Sequence, residues 1–268
     1  MLAGMMFATD GSQPPMLADD NALFLDVDGT LAALAPTPDA VVVPEAVIAD
    51  LARLQQRLGG ALALLSGRPL DQLDALLAPL RLSAGALHGH QWRHRDHGSA
   101  GDETPLPAFL RQVSTQARQL ADAVPGIMVE DKGAGLALHW RGNPAMGPAV
   151  EAFAREQLAR APRDDGQPAW RLQPGDHVIE FVPAGSDKGR TLARLMTLPP
   201  FAGRRPIHVG DDLTDEHAFH AAHALGGSSI IVGARSPTAA RHRLASPASL
   251  HAWLHANASP LPTKEPAR

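Results

Sequence analysis

Two aspartates one residue apart, Asp26 and Asp28, stand where the apolar run Leu23-Phe24-Leu25 gives way to Gly29-Thr30. A short apolar run closed by a turn signal reads as a buried strand that delivers its last residues to a sheet edge. In an open α/β sheet, ligands bind just outside the carboxyl ends of the strands, so the pair is expected at a binding crevice. Two anions this close repel. Either both serve a divalent cation, or one is a nucleophile and the other an acid/base. An acidic turn is the plainer alternative, because Asp-Gly is a common turn pair. Three further clusters stand at the ends of predicted elements: Ser66-Gly67-Arg68, Lys188, and Asp211-Asp212 with Asp215. Of the 24 basic residues only Lys132, Lys188 and Lys264 are lysines. A lysine deep in such a chain points to a compact charge suited to a phosphate, chance being the alternative.

These clusters need a scaffold that brings several strand ends to one edge. Strands are expected at 22–27, 61–65 and 84–89, with helices at 44–58 and 69–77 between them and an extended loop at 35–43. That alternation is the pattern of a parallel sheet. Residues 94–107 read as a linker or hinge. Beyond them a helix at 108–123, strands at 127–131 and 135–141, a helix at 148–158 and strands at 169–172 and 177–182 give the order αββαββ. This is an inserted α+β module in which an antiparallel sheet is covered by two helices, and 183–185 is its return hinge. The parallel pattern resumes with a helix at 188–196, a strand at 206–209, a helix to about 222, a strand at 229–232 and a helix at 246–256. The fold class expected is α/β with an inserted α+β cap domain. Its division is 1–104 and 185–268 for the core and 105–184 for the cap, with 1–20 and 259–268 as disordered tails.

A chain of 268 residues suffices for one large or two modest domains with a buried core. The formal net charge is −4 and there is no Lys/Arg block, which argues against nucleic acid and anionic membranes as partners. Cysteine is absent, which removes disulfides and thiolate metal sites. No stretch resembles a signal peptide or approaches the ~18 apolar residues of a membrane span. A cytoplasmic, monomeric protein is the expectation. The histidines at 88–97 and 217–223, His217 with His220 apart, lack the paired spacing of a metal site and read as surface and hinge residues.

Taken in order, DxDGT, S-G-R, a lone lysine and GDDxTDE resemble the four motifs of the haloacid-dehalogenase-like (HAD) phosphohydrolase superfamily. The resemblance implies a Rossmann-like core and an aspartyl-phosphate intermediate. By it, Asp26 is the nucleophile and Asp28 the acid/base, which protonates the leaving oxygen and then activates water. Mg²⁺ is the implied cofactor, with Asp26, the Asp28 carbonyl and Asp211 as ligands. Asp212 and Asp215 are implied for the outer shell, although Asp215 could equally serve only the helix dipole. Ser66, Gly67 and Lys188 would hold phosphate oxygens. Arg68 is either a fourth phosphate contact or a structural ion-pair partner.

The middle of the chain narrows the resemblance. Val129-Glu130-Asp131-Lys132-Gly133, then Leu138-His139-Trp140-Arg141, then Glu180 ahead of Gly185-Ser186-Asp187-Lys188-Gly189 are similar to the cap of trehalose-6-phosphate phosphatases. The similarity spans residues 22–232. Trp140 departs from the tyrosine of that pattern and lies on the face opposite His139 and Arg141, where packing is affected more than recognition. Glu130, Lys132, Arg141, Glu180 and, more weakly, His139 would then grip a disaccharide while the cap closes. The implied activity is hydrolysis of trehalose 6-phosphate, in functional coupling with a trehalose-6-phosphate synthase. The alternatives are a phosphatase for another phosphosugar, such as sucrose 6-phosphate, and a non-catalytic regulatory module. The regulatory reading expects a lost catalytic acid, and this chain keeps Asp26, Asp28, Lys188 and Asp211.

Overall fold

The computed structural model describes residues 13–94, 98–100 and 106–258. Leu23, Phe24 and Leu25 are wholly buried and form the centre of β1 (Asn21–Leu25). The first half of the core then runs α1 (Glu45–Arg57), β2 (Leu62–Leu65), α2 (Leu70–Leu77), β3 (Ser83–Ala86), β4 (Gln91–His94) and β5 (Gly98–Ala100). The inserted part contains α3 (Ala108–Ala123), β6 (Met128–Asp131), β7 (Leu136–His139), α4 (Gly147–Ala159), the short hairpin β8 (Arg163–Asp164) and β9 (Gln167–Pro168), β10 (Trp170–Gly175) and β11 (Val178–Pro183). The chain returns through α5 (Lys188–Leu195), β12 (Arg205–Gly210), α6 (Leu213–Ala224), β13 (Ser228–Val232), β14 (His242–Leu244) and α7 (Pro247–Ala258).

Eight strands form the core sheet in the order β14-β13-β12-β1-β2-β3-β4-β5, parallel from β14 to β3 and antiparallel at β4 and β5. β1 lies between β12 and β2, two strands far apart in sequence, so the order reverses there and a crevice opens at the strand ends. Asp26, Ser66 and Asp211 each follow directly on, or sit at, one of these three carboxyl ends. The inserted sheet is antiparallel, in the order β10-β11-β7-β6.

Two large apolar clusters, beside a small one of Phe219, Ile231 and Ala240, lie among the described residues. Leu23, Leu51, Leu62, Leu192, Val209 and Leu254 belong to the core cluster. Leu110, Leu136, Trp140, Val150 and Phe181 belong to the cluster of the inserted part. Trp140 is buried there, as the alternation of its strand implied.

Three expectations need correction. Residues 94–107 are not wholly a hinge: β4 and β5 extend the core sheet, and buried Arg93 is forked onto Asp74 at 2.8 and 2.6 Å. Residues 95–97 and 101–105 lie outside the described residues. The expected tail 1–20 is too long, because Leu17 is buried, its N–H donates to Asn257 and its carbonyl accepts from Arg57. Residues 1–12 and the tail at 259–268 lie outside the described residues. Finally, β14 escaped the sequence pattern and closes the β13 edge.

Candidate active site

α5 begins at Lys188 because Asp187 caps it, its carboxylate accepting from the Arg190 N–H at 2.9 Å. The cap residue thereby aims Lys188 into the crevice. There its Nζ donates to Asp26 at 2.8 Å and to Asp215 at 2.9 Å, all three side chains being buried. Asp215 occupies the third position of α6, whose first turn is a capping box between Asp212 and Asp215. One oxygen of Asp215 accepts from Lys188 and from His208 at 2.8 Å. The other accepts the N–H groups of Asp211 and Asp212, both at 3.1 Å. Four bonds use the carboxylate's capacity. Asp215 thus serves the helix end and the lysine together, the two roles that sequence left open.

Asp211 accepts from the Thr30 hydroxyl at 2.8 Å and faces Gly29, whose φ is +81°. A Cβ at Gly29 would lie 2.2 Å from Asp211 Oδ2, so this turn requires glycine on both counts. Arg235, beyond β13, donates to the carbonyls of Asp211 at 3.1 Å and Asp212 at 3.2 Å, and pairs with Glu216.

The electrostatics leave this crevice short of positive charge. Burial pushes Asp26 well above its ordinary value; Lys188 opposes this, while Asp215 and Asp211 add to it. Burial, with Asp215, pushes Asp211 up to about 7. Asp215 would also be raised by burial, but Lys188 and His208 hold it far below the carboxylate range. Burial would lower Lys188, and Asp215 and Asp26 keep it well above its ordinary value instead. Asp26, Asp211 and Asp215 bring oxygens within 4.8 Å of one another. Since Asp215 is fully hydrogen-bonded, Asp26 and Asp211 retain oxygens for a hard divalent cation, and the donor set fits one.

Ser66 is buried, and its Oγ accepts from the Arg68 N–H at 3.2 Å, leaving the hydroxyl proton to donate. Arg68 is forked onto Asp28, with both bonds 2.7 Å, and also donates to the Pro38 carbonyl. Of its two readings, this geometry is that of the ion pair. Gly67 lines the cavity beside them.

On the inserted part, Lys132 Nζ lies 2.6 Å from Glu180 and 3.9 Å from Glu130, and His139 is 2.9 Å from Glu130. Burial would raise Glu180, yet Lys132 and His88 hold it well below its ordinary value. Arg141 donates to the Ala35 carbonyl of the core at 2.9 Å and pairs with Asp176. A cavity of about 560 Å³ is shared by Asp26, Asp28, Lys188, Asp211, Lys132 and Glu180. The structure therefore brings the core clusters and Glu130, Lys132, Arg141 and Glu180 of the inserted part to one space.

Two histidines correct the sequence reading or lie outside it. His88 is buried and donates to Glu180 at 2.9 Å, so it is neither a surface nor a hinge residue. His208 is buried under Asp215, and burial lowers its pKa. Only its place on a strand feeding the acidic loop could have signalled it. Thr30 and Arg235 were also missed, although Thr30 lies within the DxDGT stretch itself.

A family model described as trehalose-phosphatase matches residues 24–248. The chain belongs to this family. Similar family members include a probable trehalose-phosphate phosphatase of Sinorhizobium fredii (strain NBRC 101917 / NGR234), 41% identical over 219 residues, covering 82% of this chain and 80% of the relative. The trehalose-6-phosphate phosphatase of Escherichia coli (strain K12) is 38% identical over 244 residues, covering 91% and 88%. Among solved structures, the C-terminal domain of the C. albicans trehalose-6-phosphate phosphatase superposes with a TM-score of 0.75 at 20% identity, covering 89% of this chain and 91% of that one. At that identity the likeness speaks for the fold. A HAD-superfamily phosphatase from Bacteroides thetaiotaomicron shares the same fold, with a TM-score of 0.55 at 18% identity, covering 88% and 94%.

Proposed function

We propose that this chain hydrolyses trehalose 6-phosphate to trehalose and inorganic phosphate. Family membership supports the reading, and the shared cavity carries it: one wall bears Asp26, Asp28 and Lys188, the other Glu130, Lys132 and Glu180. A phosphate ester needs the first wall, and a sugar rich in hydroxyls needs the second.

In this reading a carboxylate oxygen of Asp26 attacks phosphorus, forming an acyl-phosphate as the bond to the sugar oxygen breaks. Asp28 gives that oxygen its proton and then takes one from water. The water oxygen attacks phosphorus, phosphate leaves, and Asp26 is regenerated. Ser66 and Lys188 bind the non-bridging oxygens and stabilise the developing charge. Arg68 orients Asp28 through its fork. Asp215 orients Lys188, and Asp212 shapes the acidic loop. A divalent cation, Mg²⁺ in this proposal, would be held by Asp26, the Asp28 carbonyl and Asp211, and would offset repulsion between the nucleophile and the phosphate. Residues 105–184 act as a cap whose closure makes cleavage depend on sugar contacts.

Phosphate release should be measured from trehalose 6-phosphate, glucose 6-phosphate and sucrose 6-phosphate with Mg²⁺, with Asp26→Asn and EDTA as controls. Strong preference for the trehalose ester, abolished by both controls, is the expected result. Metal-dependent turnover of another ester in preference would overturn the substrate assignment while leaving the core chemistry.

A further inference from the structure

The turn that follows β3 is Leu87-His88-Gly89, with φ values of +49°, +55° and +97°. Two successive non-glycine residues in the left-handed region persist only when their surroundings over-determine them, and such strain gathers at functional sites. Here the surroundings are the S-G-R loop. The His88 N–H donates to the Ser66 carbonyl at 3.0 Å, and the Leu87 N–H donates to the Arg68 carbonyl at 3.1 Å. The His88 ring lies against Gly67, where an added Cβ would come within 2.8 Å of Nε2. Backbone and side chain together bind His88 to the loop expected to hold phosphate.

The same ring reaches the other wall. Nε2 lies 2.9 Å from one oxygen of Glu180, while Lys132 takes the other oxygen at 2.6 Å. A carboxylate held this low accepts only, so the proton of the pair resides on Nε2. Nδ1 has no hydrogen-bond partner among the described residues. The orientation of the ring therefore rests on Glu180 and Gly67. A buried histidine satisfied by one bond is the plain structural reading, but it gives no reason for the strained turn or for the bare Gly67.

We propose that His88 is a positioning residue that couples the phosphate-binding loop to the sugar-binding wall. Fixed to Ser66 by its own N–H and to the same loop through Leu87, it donates to Glu180 and sets that carboxylate beside Lys132 at the cavity. Glu180 is then correctly placed only when the cap lies against a properly formed phosphate loop. This inference rests on the reading that Glu180 and Lys132 grip the sugar.

The test compares His88→Asn, His88→Gln, Glu180→Gln and the double variant His88→Asn/Glu180→Gln in full kinetics on trehalose 6-phosphate. Asparagine tolerates left-handed backbone but is too short to reach Glu180, whereas the glutamine amide can stand where Nε2 does. Loss of one bond to a charged group should raise KM about tenfold in His88→Asn, with kcat changed far less. His88→Gln should recover most of that loss, and the double variant should be no worse than Glu180→Gln alone. Thermal unfolding of each variant separates a misfolded turn from a lost contact. Equal impairment of His88→Asn and His88→Gln, or additive losses in the double variant, would overturn the coupling. An unchanged KM in Glu180→Gln would instead remove the sugar-grip reading and the coupling with it.

Discussion

Lys188 between Asp26 and Asp215 is a buried cation shared by two carboxylates, and the sharing sets how strongly it engages each. Asp215 also holds His208 and two backbone N–H groups, so it is the better-anchored partner. With Asp215 removed, the whole charge of Lys188 falls on Asp26, and the proposed nucleophile is drawn into a tight ion pair. Asp215→Asn should therefore lower kcat about 10–100-fold, in the range seen when outer-shell partners are lost. Steady-state measurement of phosphate release checks this, and a kcat within twofold of wild type would count against the assignment. At this scale the sequence was partly legible. The DxDGT and GDDxTDE stretches announced their carboxylates because paired acids at strand ends are unusual in composition. His88 and His208 gave no such signal: each is a single histidine whose partner lies elsewhere in sequence or fold.

At the scale of elements, the acidic loop between β12 and α6 is held from two sides. The capping box fixes it from within, while Arg235, on the loop after β13, grips its carbonyls from outside and pairs with Glu216 on α6. Arg235→Gln keeps a donor but loses the fork and the charge. It should weaken divalent-cation binding at the proposed site about 10-fold while every proposed ligand stays in place. Calorimetric titration with Mg²⁺, alongside the Mg²⁺ dependence of phosphate release, measures the change, and equal affinities would dismiss the bracing role. The elements that carry the site were legible because their apolar runs are local and uninterrupted. β4 and β5 were not, since Gln91, Arg93 and His94 are polar yet buried, Arg93 with the distant Asp74 as its partner, and β5 is only three small residues. β14 was hidden for the same reason: His242 and Arg243 read as loop, and only pairing with β13 makes them a strand.

Across the whole molecule, the apolar cluster of the core and that of the inserted part are separate, and polar contacts link the two parts. His88 meets Glu180, Arg141 meets the Ala35 carbonyl, and Arg171 meets the Ser186 carbonyl. Polar contacts of this kind can part without exposing a large apolar face, which suits the closing and opening proposed for residues 105–184. The charge of Glu180 then links these contacts and stability through pH. In the folded chain its pKa lies well below the ordinary value of 4.5, so the unfolded chain takes up the proton first as pH falls. The stabilisation is thus complete above pH 4.5 and is lost as pH drops through the folded value. Breaking the pair with Lys132 by Glu180→Gln should cost on the order of 3 kcal/mol at pH 7. Urea unfolding of wild type and variant at about pH 7, 4 and 3 should show that gap shrinking toward zero with acidity, entirely below the ordinary carboxylate value. A gap that stays constant to pH 3 would mean that the Glu180 charge does not hold these contacts.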